Sequence, residues 1–186
     1  MLSSFKQFIT TKTLFQEEDK ILLAVSGGID SMVMAHLFKE AGFDFDIAHC
    51  NFQLRGEASD KDEAFVKNTA EQFEAHCYTI RFDTKAAAKH YASSIQLVAR
   101  DLRYQWLEDI RSNHGHQYMA TAHHLNDSLE TVLYNLSKGC GIRGLHGIPE
   151  KNGTIIRPLL FANRKEIEDY AKEYNCLLYT SDAADE

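Results

Sequence analysis

The segment ILLAVSGGIDS, residues 21–31, carries the residue types that could hold a phosphate group. Gly27 and Gly28 have no Cβ, so they permit a positive φ angle and let the backbone approach an anion closely. If a helix follows, its first amide groups and the positive end of its dipole face the same anion. The hydroxyls of Ser26 and Ser31 add further donors. We therefore expect a phosphate-binding loop here, with a plain strand-to-helix turn as the alternative.

Asp30 is an unusual neighbour for an anion, and it indicates a metal ion that bridges the carboxylate to the phosphates. The loop differs from two common phosphate-binding patterns. It lacks the lysine of the Walker A motif, and it lacks the G-x-G-x-x-G spacing of dinucleotide-binding folds.

Other unusual polar residues also follow predicted strands. They occur in residues 49–56 (HCNFQLRG), residues 123–131 (HHLNDSLET) and residues 157–160 (RPLL). Ligands of open parallel sheets bind beyond the carboxyl ends of the strands. We therefore expect these segments and the glycine loop to meet at one edge of a sheet.

His123 and Asp127 are four residues apart, so they share a helix face if the helix has already begun at His123. Glu130 lies one turn after Asp127. This group could orient a cationic ligand or hold Mg²⁺; the alternative is a helix cap next to a buried, satisfied histidine. A zinc site is disfavoured because the pattern offers neither a third ligand nor a cysteine.

Two arginines, Arg100 and Arg103, share a predicted helix with Asp101, Glu108 and Asp109. Such a mixture usually forms a solvated face of ion pairs. From composition and spacing alone, that structural interpretation is the expected one for both arginines.

The order of elements predicts an α/β fold with an open, mostly parallel, five-stranded sheet and helices on both faces. The predicted strands are Ile21–Val25, Phe45–Cys50, Tyr78–Phe82, Gln117–Ala122 and Thr154–Arg157. The predicted helices are Ser31–Ala41, Ser59–His76, Ser93–Ser112, Asp127–Ser137 and Asn163–Tyr174, with a short helix before the first strand. Four glycines predict a flexible loop over Lys138–Gly147.

The composition is that of one globular domain: the chain has 186 residues, 44% hydrophobic and 25% charged. No apolar run approaches the ~20 residues of a membrane span, and the N-terminus lacks the apolar core of a signal peptide. The cysteines form no C-x-x-C pair, which disfavours a zinc ribbon, an iron–sulfur site and a disulfide scaffold. We expect a cytoplasmic protein with no membrane partner. The net charge of −7 argues against a free-standing nucleic-acid binder.

The last eleven residues, CLLYTSDAADE, do not continue the preceding helix pattern and resemble a translated sequencing adapter. We therefore expect a catalytic domain over residues 1–175, a non-native tail over residues 176–186, and the absence of C-terminal domains that would hold RNA.

SGGIDS resembles the S-G-G-x-D-S signature of the PP-loop ATP pyrophosphatases, which have the adenine nucleotide alpha hydrolase-like fold. Four further segments make the resemblance more specific: HCNFQLRGEASDKDEAFV, ARDLRYQWLED, ATAHHLNDSLETVLYNLSKGCGIRGLHGI and IIRPLL. Together they are similar to the tRNA(Ile)-lysidine synthetase family over roughly Lys20 to Tyr174.

This resemblance implies an ATP-dependent ligase. It would adenylate the C2 oxygen of the wobble cytidine in the CAU anticodon of tRNA(Ile), join the ε-amino group of free L-lysine to C2, and release pyrophosphate and AMP. Residues 26–31 (Ser26, Gly27, Gly28, Ile29, Asp30 and Ser31) would bind ATP, and Asp30 would position Mg²⁺. Arg103 matches the ATP-facing arginine of the family, and His123 and Asp127 match its paired site residues. A homodimer is one assembly that the resemblance allows.

Two departures stand out: Phe52 replaces a histidine of many relatives, and Asn126 replaces the first residue of a common Asp-Asp pair. The alternatives are another PP-loop enzyme that modifies tRNA or forms amides by adenylation, or a non-catalytic ATP-binding fragment. An enzyme that transfers sulfur to tRNA would require a catalytic cysteine or a C-x-x-C cluster, and the sequence suggests neither.

Overall fold

The computed structural model describes residues 1–92, 94–140, 146–174 and 176. Within these ranges the helices are α1 (Leu2–Thr11), α2 (Ile29–Ala41), α3 (Glu57–Phe73), α4 (Thr84–His90), α5 (Ile95–Asn113), α6 (Leu125–Ser137) and α7 (Arg164–Glu173). The strands are β1 (Ile21–Ala24), β2 (Phe45–Asn51), β3 (Cys77–Arg81), β4 (Tyr118–Ala120), β5 (Lys151–Asn152) and β6 (Ile155–Ile156).

The strands form one six-stranded sheet in the order β3-β2-β1-β4-β6-β5. Every neighbouring pair is parallel except β5 and β6, which run antiparallel. The predicted α/β fold with a mostly parallel sheet is confirmed, whereas five strands was one too few. The extra strand, β5, comprises only Lys151 and Asn152, which are polar and exposed at the edge of the sheet.

The sheet has helices on both faces, as the sequence predicted, because its central strands are apolar on both sides. On one face, Leu23 of β1 belongs to a large core that also includes Phe5 of α1, Phe38 of α2 and Ile167 of α7. On the other face, a smaller core is centred on Leu107 of α5. Helices therefore pack against both faces of β1, the strand that leads into the glycine loop.

Two predicted helix starts have different outcomes. Helix α7 begins at Arg164, one residue after the predicted start, because Asn163 is its cap: the Asn163 side chain accepts from the Glu166 amide, and the Glu166 side chain accepts from the Asn163 amide. The predicted helix start at Ser59 was wrong, because α3 begins at Glu57 after Gly56, whose φ is +54°. Ser59 is instead buried, and its hydroxyl accepts from the Arg55 amide.

Helix α6 buries none of its residues. Its exposed large apolar side chains are Leu125, Leu129, Leu133, Tyr134 and Leu136. Among the described residues, no helix combines the length and apolar character that crossing a membrane requires. The predicted glycine-rich loop falls partly, and the predicted non-native tail almost entirely, outside the described residues.

Candidate functional site

The loop between β1 and α2 is held by hydrogen bonds of its own residues. Gly27 has a φ of +91°, which a residue with a Cβ adopts only under strain. The Ser31 hydroxyl donates to the Gly28 carbonyl at 2.8 Å and accepts from the Ser26 amide at 3.1 Å. Ser31 is buried and braces the loop from inside, whereas Ser26 is exposed at its surface. Helix α2 then begins at Ile29. The first amide groups of a helix have no carbonyl partner within it, so they are left to bind an anion at the loop.

His49 supports this loop from the neighbouring strand. Its ring is buried, and Nδ1 lies 2.8 Å from the carbonyl oxygen of Val25, the residue that precedes the loop. Burial lowers the pKa of His49. A neutral ring that donates from Nδ1 fixes the direction of the Val25 carbonyl and therefore the exit of the chain from β1.

A narrow pocket opens beside the loop, between the ends of β1 and β2 and helix α5. Its walls are Ala24, Val25, Ser26, Ala48, Cys50, Phe52, Arg103 and Leu107. The Arg103 guanidinium lies over the Phe52 ring, 5.2 Å from its centroid, and Phe82 stacks on Phe52 at 5.7 Å. Burial raises the pKa of the Cys50 thiol to about 12, so the thiol stays protonated and is a poor nucleophile.

A second, wider pocket of about 700 Å³ lies further along the same edge of the sheet. It is lined by Arg100, His123, Asp127, Glu130, Thr131, Tyr134, Ile148 and Arg157. The structure therefore brings the predicted pair His123 and Asp127 together. The reason differs from the predicted one: α6 begins at Leu125, so His123 precedes the helix instead of sharing its face.

His123 is mostly hidden from water, and Thr121 Oγ1 lies 2.9 Å from its Nδ1. Burial lowers its pKa, and the charges of Arg157, Arg100 and Arg103 lower it further. The imidazole is therefore neutral at neutral pH. Asp127 accepts from the His124 amide at 2.9 Å, so it also caps α6.

Arg157 is a nearly buried cation in the wall of this second pocket, with 6% of its surface exposed. Its Nη1 donates to the Pro149 carbonyl, while its Nε has no hydrogen-bond partner among the described residues. Burial lowers the pKa of this guanidinium. Because arginine stays charged at neutral pH, the pocket presents a positive charge on one side and two carboxylates on the other.

The predicted solvated face of ion pairs on α5 is not what Arg100 and Arg103 form. In the described part of the chain neither has a carboxylate partner: Arg100 lies over the Tyr104 ring at 5.1 Å and Arg103 over Phe52. Glu108 pairs with Arg111 instead. Each of the two arginines thus faces one of the pockets.

Asp30 lines neither pocket. It forms an ion pair with Arg164, which the sequence analysis did not predict. Arg164 Nη1 lies 2.9 Å from both carboxylate oxygens. Burial raises the pKa of Asp30, and Arg164 opposes that rise. The signal for Arg164 was available: it is a cation in the first turn of a helix, where the dipole disfavours positive charge.

Asp30 is a suitable ligand for a magnesium ion carried by a nucleotide. Mg²⁺ is commonly held by one or two carboxylates together with substrate phosphates, without a protein cage. Asp30 sits at the second position of α2 with 28% of its side chain exposed. Among the described residues, no cluster of three His, Cys, Asp or Glu side chains could hold a metal ion unaided.

The chain matches the model of the PP-loop domain, ATP_bind_3, over residues 1–186. It is 43% identical over 167 residues to the tRNA(Ile)-lysidine synthase of Bacteroides thetaiotaomicron, covering 90% of this chain and 39% of that protein. It is 42% identical over 173 residues to the tRNA(Ile)-lysidine synthase of Chlorobaculum tepidum, covering 91% of this chain and 52% of that protein. The chain thus spans only part of the length of the curated relatives it matches.

Two solved structures share the fold at 18% sequence identity. The U34-tRNA thiolase NcsA from Methanococcus maripaludis aligns with a TM-score of 0.75, covering 98% of this chain and 67% of that one. The NH3-dependent NAD synthetase from Campylobacter jejuni aligns with a TM-score of 0.65, covering 96% and 72%. The match over the whole sequence and the loop geometry agree: this chain belongs to the PP-loop domain family.

Proposed function

We propose that this domain binds ATP and catalyses the two chemical steps of tRNA(Ile) lysidine synthesis. The relatives named tRNA(Ile)-lysidine synthase support this assignment. The observation that carries it is the pair of pockets at one edge of the sheet, because α5 supplies an arginine to each. One pocket suits a nucleotide and the other suits an amino acid, so a base placed between them could react with both.

The narrow pocket suits the nucleoside part of ATP. Its small apolar residues, Ala24 and Ala48, leave room for a flat ring at the end of the sheet. A nucleotide seated there directs its phosphates onto the loop at Ser26 and the first amides of α2. Arg103 borders the same pocket, so its guanidinium is placed to stabilise charge on the α-phosphate as that phosphate is attacked.

The wide pocket suits free lysine, whose charges are two ammonium groups and one carboxylate. Asp127 and Glu130 offer carboxylates for an ammonium group, and Arg157 and Arg100 offer guanidinium groups for the lysine carboxylate. A pocket that carried only one sign of charge would favour a simple cation or anion. The opposed charges favour a zwitterion.

The first proposed step forms a bond between the C2 oxygen of the wobble cytidine and the α-phosphorus of ATP. The bond between that phosphorus and its bridging oxygen breaks, and pyrophosphate leaves. A bound Mg²⁺, held by Asp30 and the phosphates, would supply charge neutralisation on the leaving group. Adenylation converts the C2 oxygen into a good leaving group.

In the second proposed step the ε-amino group of lysine attacks C2, the C2–oxygen bond breaks, and AMP leaves. The amine must lose a proton as it attacks. Asp127 and the neutral His123 border the lysine pocket, so either can accept this proton. Both residues would then touch substrate, as the resemblance implied.

The test is release of pyrophosphate from ATP and magnesium in the presence of a tRNA(Ile) transcript with a CAU anticodon. We expect adenylated tRNA when lysine is omitted, and lysidine with stoichiometric AMP when lysine is present. Mass spectrometry of the nucleosides measures both. Turnover that requires ammonia or sulfide instead of lysine would favour another PP-loop enzyme, and ATP binding without any turnover would favour a non-catalytic module.

A further inference from the structure

Three helices begin around the carboxylate of Asp30. Asp30 itself is the second residue of α2. His124, the residue before α6, places Nε2 3.9 Å from Asp30 Oδ1. Arg164, the first residue of α7, places Nη1 2.9 Å from both oxygens. The positive ends of three helix dipoles and a guanidinium therefore surround one anionic side chain.

Arg164 is held in this position by its backbone as well as by Asp30. Its amide donates to Asn126 Oδ1 at 3.0 Å, and the Leu125 amide donates to the Ala162 carbonyl at 2.9 Å. These contacts fasten the start of α7 to the start of α6. The Arg164 Nε donates to Glu168 at 2.7 Å, which orients the guanidinium toward the loop.

A purely stabilising role does not account for this arginine. A cation in the first turn opposes the dipole of its own helix. Its ion pair with Asp30 is 44% exposed on the arginine side, and exposed ion pairs contribute little to folding. Nη2 has no hydrogen-bond partner among the described residues, so the guanidinium retains donors for a ligand.

We propose that Arg164 binds the departing pyrophosphate of ATP, a role that rests on the function proposed above. When the β- and γ-phosphates occupy the loop, the guanidinium exchanges the Asp30 carboxylate for phosphate oxygens, which match its fork geometry. The exchange leaves Asp30 available to the metal ion. Arg164 is thus a catalytic residue that touches the leaving group, and Asp30 is its partner only in the absence of ATP.

This exchange predicts opposite effects of one substitution on two ligands. Arg164→Ala removes the pyrophosphate contact, so affinity for magnesium pyrophosphate should fall roughly 10- to 100-fold, as expected for lost charged hydrogen bonds. The same substitution frees Asp30, so affinity for Mn²⁺ alone should rise. AMP lacks the β- and γ-phosphates, and its affinity should stay within about twofold.

The experiment measures magnesium pyrophosphate and AMP by calorimetry and Mn²⁺ by electron paramagnetic resonance on the 186-residue chain. Arg164→Lys keeps the positive charge but lacks the paired N–H donors of a guanidinium, so it should give an intermediate loss of pyrophosphate affinity. Lys165→Ala is the matched control, because Lys165 is the next residue on α7 and pairs with Asp169 away from the loop. It should leave all three affinities unchanged.

The two proposals fail in different ways. If the wild-type chain binds neither ATP nor pyrophosphate, the proposed function falls and the role of Arg164 falls with it. If the wild type binds both ligands and Arg164→Ala binds pyrophosphate equally well, only the role of Arg164 is overturned. Unchanged Mn²⁺ affinity in Arg164→Ala would also overturn the exchange. Unchanged AMP affinity in Arg164→Ala would show that the domain is folded, so a loss confined to pyrophosphate is not a folding effect.

Discussion

The guanidinium of Arg103 lies over the ring of Phe52, 5.2 Å from its centroid, at the mouth of the narrow pocket. This contact joins α5 to the end of β2 and holds an exposed cation beside Ser26 without an acidic partner in the described part of the chain. An arginine that no carboxylate neutralises retains its full charge for a ligand.

We predict that Arg103→Ala lowers the rate of pyrophosphate release by about 100-fold or more, since it removes a donor to the α-phosphate in the transition state. The side chain is exposed and loses only its contact with Phe52, so the free energy of unfolding should fall by less than about 1 kcal/mol. A stopped assay for pyrophosphate with saturating ATP measures the rate. Gln105→Ala, at an exposed position of the same helix, is the control. An Arg103→Ala enzyme with wild-type rates would exclude this role.

Gly27→Ala should weaken ATP binding at least tenfold. Its φ of +91° disfavours any side chain, so Ala would shift the loop; the added Cβ itself would make only an ordinary contact, 3.4 Å from Asp62 Cβ. Gly42→Ala is the matched control, because Gly42 has a φ of +76° at the end of α2 with nothing within 4 Å of the added atom. Both substitutions should cost roughly 1–2 kcal/mol of folding free energy. Equal ATP affinities in the two variants would show that the loop conformation does not matter for binding.

If the wide pocket binds lysine, substitutions of its carboxylates should affect lysine binding and leave ATP binding unchanged. Asp127→Asn and Glu130→Gln should raise the KM for lysine by about tenfold or more while leaving the affinity for ATP near the wild-type value. Asp127 also caps α6 by accepting from the His124 amide; Asn keeps an acceptor oxygen there, so Asp127→Asn should change the free energy of unfolding by less than about 0.5 kcal/mol. Asp83→Asn makes the same change at the N-cap of α4, outside both pockets, and is the control. Lysine saturation curves at fixed tRNA are the measurement; a change confined to ATP affinity would place the lysine elsewhere.

Glu63 should stabilise the fold in a pH-dependent way. Burial alone would raise its pKa, but hydrogen bonds from Lys67, Asn51 and Arg81 together lower the pKa to about 2. The pKa in the folded state is thus below the ordinary value of about 4.5, so the stabilisation is complete above pH 4.5 and is lost as the pH falls toward 2.

We expect Glu63→Gln to reduce the free energy of unfolding by about 2 kcal/mol at pH 7, with the difference from wild type shrinking between pH 4.5 and 2. Urea unfolding at several pH values measures it. Glu71→Gln, an exposed position of the same helix, is the control. A difference that stayed constant down to pH 2 would mean that Glu63 does not titrate in this range.

Local sequence patterns were sufficient for the elements that build the core. Buried runs such as Ile21–Val25 and Phe45–Cys50 predicted central strands, and the strand, glycine turn and helix of the loop followed from residue types alone. Helix α4 (Thr84–His90) was missed because seven residues give little periodicity, and it packs against α5. Strand β5 was missed because two polar residues at a sheet edge carry no burial pattern.

The sequence predicted several residues of the site but few of the contacts between them. His123 and Asp127 do line one pocket, because both follow β4. The sequence marks Arg164 as an unusual cation in the first turn of a helix, but its pairing with Asp30 was not predictable. The two residues are 134 positions apart and meet only through the packing of α7 against α2. The same holds for Arg103, whose contact with Phe52 depends on how α5 crosses the sheet.

Helix α6 supplies Asp127 and Glu130 to the wide pocket, yet it contributes no side chain to either core. Its amides should therefore exchange with deuterium well before those of β1 and β2, which open only on global unfolding. This wall of the proposed lysine pocket is therefore less constrained by packing than the central strands. Mutations in α6 would then change which amine the wide pocket binds, while the ATP-binding core stays folded. Such changes give an evolutionary route from one PP-loop chemistry to another.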